Sequence, residues 1–96
     1  MNFAEAVEYL NEGKMISRKG WNGKDIFVFK QIEYTLPSEM FKDNLAMPQR
    51  VCEKIASMKV DITYSNQMYI VHPDGRINTW VPSSSDIFAE DWYEEM

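Results

Sequence analysis

Between residues 3 and 12 the apolar side chains fall at Phe3, Ala6, Val7 and Leu10, the i, i+3, i+4, i+7 spacing of a helix that buries one face. Asn2 is placed to cap this helix, Glu5 completes a capping-box pattern three residues on, and Gly13 suits a left-handed stop. The period then shortens to two. Residues 15–18 predict a short strand. Residues 26–36 predict one long strand, because the run Ile26-Phe27-Val28-Phe29 passes into an alternation that puts Ile32, Tyr34 and Leu36 on one face. Pro37 and Ser38 end it. Pro48 stands at the first position of a helix in which Val51, Ile55 and Met58 share a stripe. Residues 60–64, 68–72 and 76–81 predict strands, the last two joined by the turn signal Pro73-Asp74-Gly75. Residues 83–88 offer several helix caps before a short turn, and Trp92-Tyr93 predicts a final edge strand. The order of elements predicts an α+β fold: a small antiparallel β-sheet with an N-terminal helix and a central helical segment, in a single domain over residues 1–96.

Composition narrows the class. A chain of 96 residues that is 45% apolar can support one compact core and is too apolar for disorder, while no apolar run reaches the roughly 20 residues of a membrane span. The N-terminal stretch carries Glu5 and Glu8 and lacks the basic start of a signal peptide, so a cytoplasmic protein is expected. A single cysteine, Cys52, excludes an intramolecular disulfide and a cysteine-based metal cluster. A net charge of -5 argues against a duplex nucleic-acid partner, which asks for a basic surface. It leaves room for a small anionic ligand, which needs only a local cluster of donors.

Catalytic constellations are weak. The one histidine, His72, sits at the mouth of the predicted hairpin turn, where a turn-bonding role is the ordinary one. Cys52 reads as a buried structural thiol. The acidic run Glu90, Asp91, Glu94, Glu95 fits no metal-binding spacing and reads as a solvated face. Asp86 and Asp91 have the residue type of a glycosidase carboxylate pair, but a chain this short hardly provides the groove. A non-enzyme with no cofactor and no metal is expected.

Two segments carry binding chemistry. Arg18-Lys19-Gly20-Trp21-Asn22-Gly23-Lys24 concentrates three cations, flexible backbone donors and an indole, a combination suited to a nucleotide. It matches neither the phosphate-loop nor the dinucleotide-binding glycine pattern, and the alternative is a turn whose tryptophan folds back onto the sheet. In the second segment Trp80 alternates onto the face of Arg76 and Asn78, opposite Ile77, Thr79 and Val81, and an aromatic on a polar face invites binding. Ser83, Ser85 and Asp86 follow it, suited to ribose hydroxyls or to plain helix capping. Trp92 reads as a core anchor. Three tryptophans, five tyrosines, five phenylalanines and seven methionines exceed what one small core hides, which predicts subunit contacts.

The first segment with its preceding helix, together with Trp80-Val81-Pro82-Ser83-Ser84-Ser85-Asp86 and Ala89-Glu90-Asp91-Trp92, resembles the Thoeris anti-defence family of the second type, small phage and prophage proteins. The resemblance covers about half the chain in two blocks. It implies an oligomeric sponge, a tetramer, that holds a cyclic ADP-ribose isomer between subunits in the bacterial cytoplasm without cleaving it. Some members also bind cyclic oligonucleotides elsewhere in the tetramer. By motif position it implies Trp21 and Trp80 as stacking platforms, with Asn22 and Gly23 as loop donors. Ser83, Ser85 and Asp86 then meet the ribose and phosphate end, with Arg18 and Lys24 as charge partners. Two subunits would clamp one ligand between indole rings. A module that inhibits a host protein through its acidic, aromatic surface is the alternative.

Overall fold

The capping box forms: Asn2 Oδ1 accepts from the Glu5 amide at 2.9 Å, and the Glu5 carboxylate accepts from the Asn2 amide at 3.0 Å. It starts helix α1 (Phe3–Asn11), which Gly13 helps to end with a φ of 83°. The computed structural model describes residues 1–21, 25–43 and 46–96, which fall into two units, residues 1–31 with 66–96 and residues 32–65. The fold is α+β, with antiparallel pairing throughout the described strands.

The first unit holds a five-stranded sheet in the order β6-β5-β2-β1-β7, built from β1 (Met15–Arg18), β2 (Phe27–Gln31), β5 (Gln67–Val71), β6 (Ile77–Thr79) and β7 (Trp92–Glu95). Register decides its faces. Ile16 pairs with Val28, Val28 with Ile70, and Ile70 with Asn78, so these residues share one face with Arg18, Met68, Trp80 and Trp92. Helix α1 covers that face with Ala6 and Leu10, closing a core of Ala6, Leu10, Ile16, Val28 and Trp92. The opposite face carries Met15, Phe27, Phe29, Tyr69, Val71 and Tyr93, with Phe29 stacked on Tyr69 at 5.6 Å.

Two expectations about strands change. Residues 26–36 do not form one strand: β2 ends at Gln31, and β3 (Tyr34–Pro37) pairs with β4 (Asp61–Tyr64) in a separate two-stranded sheet. An unbroken alternation reports which face of a strand is apolar but not where the chain changes partners. Residues 76–81 also divide differently. The strand β6 spans only Ile77–Thr79 and all three of its residues are exposed, while Trp80, on the face of Asn78, is half-buried and Val81 is 85% exposed.

In the second unit, β3 and β4 join the 3-10 turn Ser38–Asp43 and helix α2 (Gln49–Ser57). Its core is Phe41, stacked on Tyr64 at 5.8 Å, with Ser38 and Cys52 buried. Pro48 serves as N-cap, one position earlier than expected. The predicted stripe of Val51, Ile55 and Met58 is also rotated: Val51 and Met58 are exposed, and Cys52, Ile55 and Ala56 turn inward at the same i, i+3, i+4 spacing. Among the described residues, no helix is long and apolar enough to cross a membrane.

Candidate functional site

Three tryptophans far apart in sequence meet on the α1 side of the first unit. Trp92, at the start of edge strand β7, is 2% exposed and forms the hub. The Trp21 ring meets it edge to face at 5.3 Å and 81°, and the Trp80 ring at 6.0 Å and 76°. Trp21 and Trp80 touch each other at 6.2 Å and 79°. Phe3 of α1 closes the group at 5.6 Å from Trp92 and 6.3 Å from Trp80. Such edge-to-face contacts satisfy the ring quadrupoles and hold the rings at fixed angles. Trp21 and Trp80 keep part of their surface in solvent.

The geometry limits what these two rings can do. A base lies about 3.5 Å from a stacking ring, so a two-sided sandwich needs parallel rings about 7 Å apart. Trp21 and Trp80 of one chain stand at 79°, and they form a corner rather than a slot.

Beside the aromatic group, Arg18 at the end of β1 reaches two carboxylates. Its Nη1 donates to Asp86 Oδ1 at 2.8 Å and its Nε to Asp91 Oδ1 at 2.9 Å, and its guanidinium lies 5.9 Å from the Trp92 ring centroid. Asp86 belongs to α3 (Ser84–Phe88), whose N-cap is Ser83. Asp86 Oδ2 accepts from the Ser83 amide and hydroxyl, both at 2.9 Å, and the Asp86 carbonyl accepts from Trp92 Nε1 at 2.9 Å. Asp91 receives the chain that leads to Trp21. Its Oδ2 accepts from the Gly20 amide at 2.7 Å, and its carbonyl accepts from the Lys19 amide at 3.2 Å. A Cβ at Gly20 would meet Asp91 Oδ2 at 2.8 Å, so the close approach requires glycine.

These contacts set the protonation states. The Arg18 hydrogen bond, opposed by desolvation and aided by the Gly20 amide, holds the Asp91 carboxyl below the usual carboxylate range. Burial pushes Asp86 up, but the Ser83 amide, Arg18 and the Ser83 hydroxyl outweigh it and the net direction is down. Asp91 and then Asp86 raise Arg18 above its ordinary value. Both carboxylates are therefore ionised acceptors, and neither is a proton donor at neutral pH.

Of the sequence candidates, Arg18, Trp21, Trp80, Ser83 and Asp86 come together in this one region. Ser85 is exposed on the first turn of α3. Asn22, Gly23 and Lys24 lie outside the described residues. Arg18 and Asp86 face each other and form an ion pair at 2.8 Å. Asp91 was missed because it stands in an acidic run that reads as solvated, and the one signal for it was the cation-rich segment waiting for counter-charges. Among the described residues no group of three His, Cys, Asp or Glu side chains is arranged to hold a metal ion. A separate cleft of about 240 Å³ opens between α1, β2 and β5, lined by Val7, Leu10, Asn11, Lys30, Gln67 and Met68. Lys30 Nζ donates to Asn11 Oδ1 at 2.7 Å on its wall.

Fold and site define a small α+β protein with a half-exposed tryptophan corner beside a cation-bearing segment, with Asp86 and Asp91 paired to Arg18. The comparisons place it further. The family model of the Thoeris anti-defense 2-like domain matches residues 1–94. A protein of Bacillus phage SP01 named Thoeris anti-defense 2 is 34% identical over 92 residues, covering 96% of this chain and 91% of that relative. The chain belongs to the Thoeris anti-defense 2-like family.

Proposed function

We propose that this protein counters Thoeris immunity as a sponge: it binds a cyclic ADP-ribose-type signal in the host cytoplasm and holds it intact. The observation that carries the reading is the meeting of the two sequence blocks. Arg18 and Asp86, 68 residues apart, join at 2.8 Å, and Trp21 and Trp80 converge on one corner in a chain of an anti-defence family. The corner offers aromatic faces for an adenine or a ribose, and the cations of the segment 18–24 are candidates for its phosphates.

In this reading the ligand sits between subunits of a homotetramer. The right angle between the two indoles supports that arrangement, because a base stacked on one ring needs a second copy to cover its other side. The apolar sheet face of Met15, Phe27, Phe29, Tyr69 and Val71, together with exposed Phe88, supports self-association. A cyclic oligonucleotide is a further candidate ligand elsewhere in the same assembly.

A competitive sponge needs nanomolar affinity, about -12 kcal/mol, of which a stacked base contributes about 1–3 kcal/mol. Trp21→Ala and Trp80→Ala are each expected to weaken binding about tenfold or more, read by calorimetry well below the melting temperature of each variant. Unchanged affinity in both variants would remove the corner from the site. The test of the function itself is to incubate the protein with the cyclic ADP-ribose isomer from an activated Thoeris system, remove free ligand, heat the protein and weigh what is released. Intact nucleotide supports the sponge. A converted product means an enzyme, and no retained nucleotide points to an inhibitor of a host protein.

A further inference from the structure

We infer that Asp91 is a positioning residue of the ligand site, acting through Trp21, and that Arg18 links this device to the second half of the site; the inference rests on the sponge reading above. Three consecutive residues of the first block end on this one aspartate. Arg18 Nε binds Oδ1 at 2.9 Å, Gly20 N binds Oδ2 at 2.7 Å, and Lys19 N binds its carbonyl at 3.2 Å. A turn hydrogen bond from the Trp21 amide to the Arg18 carbonyl at 3.2 Å follows directly. The backbone that carries the Trp21 ring is thus held from the far end of the chain, 71 residues away at Gly20.

The same guanidinium holds Asp86, whose other oxygen takes the amide and hydroxyl of Ser83. Arg18 therefore fixes the segment after Trp80 and the segment before Trp21 relative to one another. Its Nε and Nη1 are used in this way, one on each aspartate. Its work is to orient. Asp91 has no ring, no cation and no direct part in stacking, and its side chain is 30% exposed, so a role confined to core packing does not account for it. A loop held in its binding conformation loses less entropy when the ligand arrives, and affinity follows from that pre-organisation.

A double-mutant cycle tests this with the purified cyclic ADP-ribose isomer as probe. Asp91→Asn is expected to weaken binding about tenfold in the native background and to have no further effect in Trp21→Ala protein. Asp91→Glu, which keeps the charge but lengthens the arm, should recover part of the affinity. Melting temperatures of all variants identify any that fail to fold, and for those Asp91→Glu carries the comparison. Equal losses in both backgrounds would mean that Asp91 acts on the ligand independently of Trp21, and unchanged affinity in Asp91→Asn would mean that it positions nothing. Either result overturns the inference while native protein still retains nucleotide. If the native protein binds no probe, it is the sponge reading that fails.

Discussion

Trp92→Ala is expected to destabilise the first unit by about 3–5 kcal/mol, the range for removing a large aromatic from a packed interior. The ring is 2% exposed and is the common neighbour of Phe3, Trp21 and Trp80, so its loss opens a hole under all three. Neighbouring rings cannot collapse into that space easily, because each is held at a steep angle by the others. The polar cost adds to this. Trp92 Nε1 donates to the Asp86 carbonyl at 2.9 Å in a buried setting, and alanine leaves that acceptor only the longer bond from the Ala89 amide at 3.4 Å. Trp92→Phe separates the two contributions: it retains most of the volume and should cost about 0.5–1.5 kcal/mol through the lost indole hydrogen bond. For a chain of this size each 1 kcal/mol moves the melting temperature by roughly 4–8 °C, so the alanine variant should melt well over 10 °C below native protein. A shift of only a degree or two in thermal unfolding would show that Trp92 is not the hub.

How far this could be read in advance depends on what each residue answers to. Helix α1 was legible because its capping box, periodic apolar face and terminal glycine all agree, and each is local. Trp92 as core anchor and an edge strand at residues 92–93 were legible for a similar reason: a large indole within a polar run has few other uses. The break between β2 and β3 was not legible, since Ile32 and Glu33 continue the alternation that the strands share. The short extent of β6 was not legible either, because the alternation of residues 76–81 runs on past Thr79, where the strand ends. In the candidate site, Arg18, Trp21, Trp80, Ser83 and Asp86, picked out by residue type, fall in one region. Their pairing did not show. That Arg18 is matched by Asp91 and Asp86 depends on β7 lying against β1 across the whole chain, and no local spacing encodes that contact.

Arg18→Ala is expected to have the second large effect on stability and to change its pH dependence. The guanidinium neutralises two carboxylates, one of them on Asp86, which is 8% exposed. Its removal leaves acceptors without their cation, and breaking such a pair in a mostly buried setting costs about 2–4 kcal/mol, less than a fully enclosed pair because Asp91 keeps some contact with water. The sign with pH follows from the lowered carboxyls. In native protein Asp86 and Asp91 titrate below their unfolded range, so their contribution is complete above about pH 4 and is lost as pH falls through the folded values. Without Arg18 the cation that lowers Asp91 most is gone, and Asp86 keeps only the Ser83 amide and hydroxyl against its burial, so both carboxyls are lowered less. The variant therefore has less of this contribution to lose in acid. Urea midpoints at pH 5 and pH 3 should fall for native protein and fall less for Arg18→Ala, so that the gap between them narrows. Arg18→Lys should fall between the two, because a single ammonium cannot reach both carboxylates with the planar fork of arginine. Parallel midpoints for Arg18→Ala and native protein across that range would mean that the two aspartates do not depend on Arg18 for their charge.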